Sequence, residues 1–238
     1  MATQALWAAI AGTLTAEIGS GHYHPGDKLP TEAALAARFG VNRHTVRHAL
    51  AALAEAGAVH ARRGAGVFVT ARPTDYRLGR RVWFHQNVLA AGQTPSRRIT
   101  RVETRPADDD EARALALRPG AGVHVVEGVS LADDQPLAAF RSIFPAGRFP
   151  DLPRVLREAG SITEALTAFG VADYTRAETR LTAQLADPVL ALALQLRAGS
   201  AVLRSVAVNV DQGGNPVELG TTWFAGERVT LTVAADQA

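Results

Sequence analysis

Leu6, Ile10, Leu14 and Ile18 recur every four positions, which lays an apolar stripe along one face of a predicted first helix. Gly21-His22-Tyr23-His24-Pro25-Gly26 breaks it. A second helix is predicted after Thr31, whose hydroxyl can cap the first turn, with Glu32 near the positive helix end. Leu35 and Phe39 supply its buried side, and Gly40 can take the left-handed conformation that ends it. Asn42 can cap a third helix, in which Val46, Leu50 and Leu53 fall at i, i+4 and i+7 and so face inward. After Gly57, Val59-His60-Ala61-Arg62 and Val67-Phe68-Val69 alternate as strands around Arg63-Gly64-Ala65-Gly66.

This pattern leaves Arg43, His44, Thr45, Arg47 and His48 largely on the other sides of the third helix, near its N-terminal end. A recognition helix meets base edges in the major groove with its early residues. Arginine can bond guanine bidentately there, and a threonine methyl can touch thymine. The hairpin reads as a wing whose tip can reach a phosphate or a minor groove, through either Arg62 or Arg63. The plain structural alternative is a small helical subdomain with ordinary surface arginines. Three helices, a glycine turn and a basic hairpin in this order argue against it.

The remainder of the chain repeats itself. Asp109–Leu117, Arg118-Pro119-Gly120, Val123–Leu131, Asp133-Asp134 and Pro136–Phe144 read helix, glycine stop, strand, turn, strand. Asp187–Leu196, Arg197-Ala198-Gly199, Val202–Val210, Gly213-Gly214 and Pro216–Trp223 read the same, at an offset of 79 positions. A further strand precedes each unit, at Arg98–Thr104 and Thr175–Leu185. Two copies are too few for a solenoid. They predict a pseudo-symmetric α+β domain with one antiparallel sheet and helices packed on it, and a cleft between the related halves as a natural ligand site. Trp83–Ala91 is a predicted short helix ended by Gly92, and Ser161-Ile162-Thr163-Glu164 reads as a capping box.

Length and charge refine this picture. The 238 residues divide into a DNA-binding head at 1–70, a linker at 71–80 with turn and extended character, and a body at 81–238 large enough for its own core. The absence of cysteine excludes disulfides, thiolate metal sites and cysteine nucleophiles, and fits a cytoplasmic location. No apolar run approaches the ~18 residues of a membrane span. Residues 1–75 hold 7 Lys/Arg against 5 Asp/Glu, residues 76–105 hold 7 against 1, and residues 106–238 hold 11 against 17. Positive charge is thus concentrated in the head and connector, as a footprint on DNA requires; a solvated linker is the alternative for Arg77, Arg80 and Arg81.

The run from Gly26-Asp27-Lys28-Leu29-Pro30 through Val69 resembles the winged helix-turn-helix of GntR-type bacterial transcription regulators. That resemblance implies contacts to an operator duplex from Thr31, Arg43, His44, Thr45, Arg47, Arg62, Arg63 and Gly64. The body looks like the effector domain of the HutC subfamily, with a chorismate-lyase-like fold. Asn42-Arg43-His44-Thr45 and Phe84–Gly92 are most similar to regulators of phosphonate utilisation. The resemblance implies a homodimeric repressor released by a small anionic effector, with no cofactor. It places Ser96 and Arg97, Ser130, Arg141, Ser161, Glu218 and Trp223 as candidate effector contacts. Several have purely structural readings: Ser161 as a helix cap, Arg141 as an exposed strand residue, Trp223 as core. Glu127 and Ser130 stand where many relatives carry anion-clamping arginines, so a sugar phosphate or an imidazole acid stays open as effector beside a phosphonate.

Two competing functions remain. One is a chorismate-lyase-like enzyme fused to a DNA-binding head. Against it, the sequence holds no metal-ligand cluster, nucleophile elbow or glycine-rich phosphate loop, and Arg118-Pro119-Gly120-Ala121-Gly122 reads as a turn. The other is an architectural DNA-binding protein whose body only dimerises.

Overall fold

A computed structural model describes residues 2–24, 26–62, 64–70, 73–79 and 84–233. It divides into two compact units, Met1–Arg72 and Pro73–Ala238, each considered by itself.

The first unit contains α1 (Ala2–Gly19), α2 (Glu32–Phe39), α3 (Arg43–Glu55) and an antiparallel hairpin of β1 (Val59–Arg62) and β2 (Gly66–Val69). Its caps form as the sequence dictates. Thr31 Oγ1 accepts from the Ala34 amide at 3.2 Å, Gly40 ends α2 at φ 64°, and Asn42 Oδ1 accepts from the Thr45 amide at 2.8 Å. Ile10, Leu14, Leu35, Val46, Leu50 and Leu53 close one core with Val59 and Val69 of the hairpin. The α1 stripe is displaced from the expected one. Leu6 is exposed, and Trp7 and Ala11 pack on the core beside Ile10 and Leu14, because 3.6 residues per turn carries a strict four-residue repeat gradually off one face.

The second unit begins with β3 (Thr74–Arg77), α4 (Phe84–Ala90), β4 (Pro95–Pro106), α5 (Asp109–Ala114), β5 (Gly122–Ala132) and β6 (Gln135–Pro145). It continues with α6 (Leu152–Ala159), α7 (Ile162–Ala168), β7 (Thr175–Leu185), α8 (Pro188–Ala193), β8 (Ala201–Val210), β9 (Pro216–Ala225) and β10 (Val229–Thr232). Six strands form one antiparallel sheet in the order β4-β5-β6-β9-β8-β7, which reads the same from either edge. The repeat is therefore a structural one, with its pseudo-twofold axis between β6 and β9.

Local chemistry obeys the same offset. Asp108 and Asp187 each cap a helix by accepting an amide three residues on at 2.8 Å. Ala116 and Gln195 both stand at φ 53°, and Gly120 and Gly199 at φ 72° and 80°. Within the sheet, one face packs under α6 and α7 around Phe140, Phe144 and Phe149. On the other, Leu115 packs with Val123, Val125 and Ile143, and Ala191 and Leu194 pack with Ala139, Val202 and Trp223.

Two boundaries differ from the sequence reading. The expected linker at 71–80 is strand over Thr74–Arg77, where β3 pairs in parallel with β10 from Val229↔Thr74 to Thr232↔Arg77. A partner 155 residues away in sequence leaves no local signal, so only tertiary structure reveals it. The helices after Asp108 and Asp187 are only six residues long, because the positive-φ residues Ala116 and Gln195 stop them early. Trp83, the expected start of α4, lies outside the described residues.

Candidate DNA-binding surface and effector cavity

In the head, Arg43 and His44 are exposed on the first turn of α3. Arg47, one turn on, is already engaged. Its Nε and Nη2 donate to the two carboxylate oxygens of Glu32 at 3.0 and 2.7 Å, a planar bidentate match. The pair holds the Glu32 carboxyl below the usual carboxylate range. Nothing in the α3 pattern singles out Glu32, because the two residues lie on different helices.

Thr45 is a correction. It is only 6% exposed, and its hydroxyl donates to Asn42 Oδ1 at 3.0 Å, the same oxygen that caps the helix. Its position directly before Val46 places it on the shoulder of the buried stripe rather than on the outer face. His48, assigned to the outer side, meets Trp7 edge-on at 6.1 Å between ring centres. In the wing Gly64 turns at φ 76° and Gly66 at φ 117°. A Cβ on Gly66 would sit 2.7 Å from Lys28 Cε, so the lysine stem packs against the wing. Arg63 and the Arg62 side chain lie outside the described residues.

In the body, a cavity of about 450 Å³ opens on the sheet face that also carries α6 and α7. Strand alternation decides which side chains reach it. From β9, Glu218, Gly220, Thr222 and Phe224 line it. Trp223, between the last two, points to the opposite face and packs among Ala139, Ala191 and Leu194. Arg141 is likewise on that opposite face. It donates to Glu127 at 2.6 Å and lies 6.0 Å from the Trp223 ring. Both are corrected as cavity residues, since the period of two sends Phe140 and Ser142 inward instead. Ser96 falls on the alternate side of β4 from Arg97 and is not part of the lining.

Arg97, Ser130, Ser161 and Glu218 are brought together at the cavity. Arg97 lies over the Phe140 ring at 4.8 Å and the Phe84 ring at 5.8 Å, a cation–π arrangement favoured where water is thin. Among the described residues it has no carboxylate partner. Ser161 Oγ accepts from the Glu164 amide at 3.5 Å. The reciprocal half of the expected capping box is not formed, and Glu164 lines the cavity instead. Asn209 Nδ2 donates to Glu218 Oε2 at 2.7 Å.

Sequence reading passed over Tyr76, Tyr174, Arg176 and Asn209, which also line the cavity. The repeat could have found two of them, because Arg97 plus 79 is Arg176 and Ser130 plus 79 is Asn209. Burial pushes the Tyr76 phenol up. It also drives the Tyr174 phenol to about 12, with the nearby Glu218 carboxylate adding to the shift, so both are neutral donors at physiological pH. Burial lowers the pKa of the Arg176 guanidinium, against the pull of Tyr76 and Glu218.

The charge expected to steer DNA from residues 76–105 is partly spent within the body. Arg101 reaches Glu103 at 2.5 Å, and Arg105 grips Glu111 at 2.6 and 2.7 Å, while Arg97 faces the cavity. Arg80 and Arg81 lie outside the described residues. No described helix is long and apolar enough to cross a membrane.

Comparison with known proteins agrees with this geometry. Residues 6–69 match the bacterial regulatory proteins of the gntR family, and residues 90–230 match the UTRA domain. The chain is 37% identical over 230 residues to an HTH-type transcriptional regulator of Rhizobium meliloti (strain 1021), covering 96% of this chain and 94% of the other. It is 33% identical over 231 residues to the probable transcriptional regulator PhnF of Escherichia coli (strain K12), covering 94% and 92%. The crystal structure of PhnF from Mycobacterium smegmatis superposes with a TM-score of 0.66 at 27% identity, covering 90% of this chain and 94% of that one. These relatives are transcription regulators, which sets the lyase alternative aside. The protein belongs to the GntR family of bacterial transcription regulators, in the branch that joins a winged helix-turn-helix to a UTRA effector domain.

Proposed function

We propose that the protein is a cytoplasmic repressor that binds a near-palindromic operator as a homodimer and is released by a small anionic effector of the phosphonate-utilisation type. The observation that carries the reading is a pair of surfaces: Arg43 and His44 stand exposed at the start of α3, and a cavity in the other unit carries Arg97, which has no carboxylate partner among the described residues. The first suits base readout from the N-terminal end of a recognition helix. Thr31, Gly64 and a wing arginine, Arg62 or Arg63, then supply phosphate contacts that fix register. Arg47 joins the readout by exchanging Glu32 for guanine, a swap of one planar acceptor pair for another. Protein two-fold symmetry is mirrored in the operator.

The second surface suits an anion held by Arg97 with Ser130 and Ser161 as hydroxyl donors, and Glu218 set to meet a polar ligand group. Effector binding changes DNA affinity only through differential affinity for two arrangements of the protein. Typical coupling of about 1–3 kcal/mol corresponds to release of roughly 5–150-fold. A sugar phosphate or an imidazole acid is the alternative effector.

A mobility-shift titration on the DNA upstream of the protein's own gene tests the head. Arg43→Ala is expected to weaken operator binding by about 5–150-fold, the worth of one bidentate base contact. Equal affinity of the variant and the parent refutes the assignment of α3. Light scattering on the free protein reads the dimer, and a monomer at operator-saturating concentration refutes it.

A further inference from the structure

The two halves of the cavity are related by the pseudo-twofold, yet they are not chemically equivalent. In the first half, one row crosses the sheet as Arg97↔Ser130↔Ala138. In the second, the matching row is Arg176↔Asn209↔Glu218. Both rows begin with an arginine on an outer strand, β4 and β7 at opposite edges of the sheet, yet both side chains line the same cavity and lie near enough to the Tyr76 phenol to act on it. The rows end differently, with an inert methyl on β6 and a carboxylate on β9.

Two buried polar atoms of the second row have no hydrogen-bond partner among the described residues: Arg176 Nε, a donor, and Asn209 Oδ1, an acceptor. Their residues are register partners on β7 and β8, and the two atoms do not bond to each other. The Asn209 amide is fixed in orientation, because its Nδ2 serves Glu218 Oε2 at 2.7 Å, and only nitrogen can donate to a carboxylate. Its Oδ1 therefore needs a donor. A buried acceptor left unmet keeps its full desolvation cost, so the site is shaped for something that is both donor and acceptor.

The charges lining the cavity agree. Arg97 and Arg176 are matched by Glu164 and Glu218. A site for a bare anion gains from an excess of cations, and each carboxylate beside an anion lowers its affinity. Two charges of each sign fit a ligand that itself carries both. Burial lowers the pKa of the Arg176 guanidinium, a cost of holding the cation away from water that an anion against it offsets.

We infer that the effector is amphoteric: an anionic head bound by the Arg97 and Arg176 guanidiniums, and a protonated amine seated against Glu218 and Asn209 Oδ1. An ammonium has three donors and no acceptor, which answers Asn209 Oδ1 and the carboxylate together. Adjacent strands lie about 4.8 Å apart. An amine between β8 and β9 is thus roughly 5–7 Å from an anion bound by the β7 arginine, a span that a short carbon spacer bridges. The inference rests on the reading that a small anion occupies this cavity, and adds the amine to it.

The test is isothermal titration of the full-length protein with four probes: 2-aminoethylphosphonate, phosphoethanolamine, ethylphosphonate and inorganic phosphate. An amine-bearing probe is expected to bind at least about tenfold tighter than ethylphosphonate, the value of one charge-assisted contact of about 1.4 kcal/mol. Whichever amine probe is tighter identifies a carbon-linked or an ester-linked head. Glu218→Gln is expected to abolish the preference for the amine-bearing probes, and Arg97→Gln to weaken all four probes alike. Ethylphosphonate binding as tightly as both amine probes overturns the amphoteric effector and leaves the anionic one standing. Binding of none of the four overturns both.

Discussion

Gly128 on β5 carries a consequence that reaches the effector cavity. A Cβ at this position would lie 2.4 Å from the carbonyl oxygen of Arg98 and 2.7 and 2.8 Å from Phe140 Cζ and Cε1. The carbonyl belongs to the neighbouring strand and cannot rotate away without breaking its ladder. Phe140 is the ring on which Arg97 rests. In Gly128→Ala the strand pair must separate by several tenths of an ångström and the ring must slide toward the cavity. Such overpacking costs about 1–3 kcal/mol, offset in part by the ~0.4–1 kcal/mol that alanine removes from the freedom of the unfolded chain. A net loss of about 1–2 kcal/mol lowers the melting temperature of a unit this size by roughly 2–8 °C. The same shift removes the platform of Arg97, so anion affinity falls more than an equally destabilising change elsewhere. Differential scanning calorimetry with and without ligand reads both effects. A variant that melts at or above the parent, with unchanged ligand stabilisation, refutes the steric reading of Gly128 and its link through Phe140 to Arg97.

Leu35→Ala, at a fully buried position of the head, is expected to destabilise that unit by about 2–5 kcal/mol; denaturant unfolding checks this, and a loss below about 0.5 kcal/mol, the level of an exposed site, contradicts the core assignment. Glu32→Gln frees Arg47 from its carboxylate and removes a negative charge beside the DNA-facing helix, so non-specific DNA retention should rise a few-fold while discrimination falls; competition with random duplex reads it, and unchanged retention means the pair does not restrain Arg47. His124 gives a pH signature. Its Nδ1 lies 2.8 Å from Thr104 Oγ1 and its Nε2 3.0 Å from the Phe149 carbonyl, and burial lowers its pKa below 6.5. The unfolded chain then takes up the proton first, so stability present above pH 6.5 is lost as pH falls toward the folded value. Thermal melts between pH 7.5 and 5.5 (roughly the window in which histidine titrates) should slope more steeply for the parent than for His124→Gln, and identical slopes exclude the histidine as the cause.

The head was legible because its signals are local. Caps at Thr31 and Asn42, a left-handed Gly40 and the spacing of Val46, Leu50 and Leu53 all act within one or two helical turns, and each is present in the structure. The repeat was legible for the same reason, since a cap, a positive-φ stop and an alternating strand recur at one offset. What failed was the side on which particular residues emerge. Thr45 sits at the edge of the α3 stripe, where a small angular difference separates burial from exposure. Trp223 and Arg141 were placed without regard to strand face, yet a strand sends neighbours to opposite faces, and the cavity lies on the other one.

Sequence by itself therefore determined a winged helical head, a duplicated antiparallel body and the arginines and carboxylates available to each. Only tertiary structure decided that Arg47 is held by Glu32, that β3 pairs with β10, and that Arg97, Arg176, Asn209 and Glu218 converge on one cavity. The division has a physical cause. Caps, turns and periodicities are set by covalent neighbours, whereas a site is assembled by strand order and face, which depend on contacts between residues far apart along the chain.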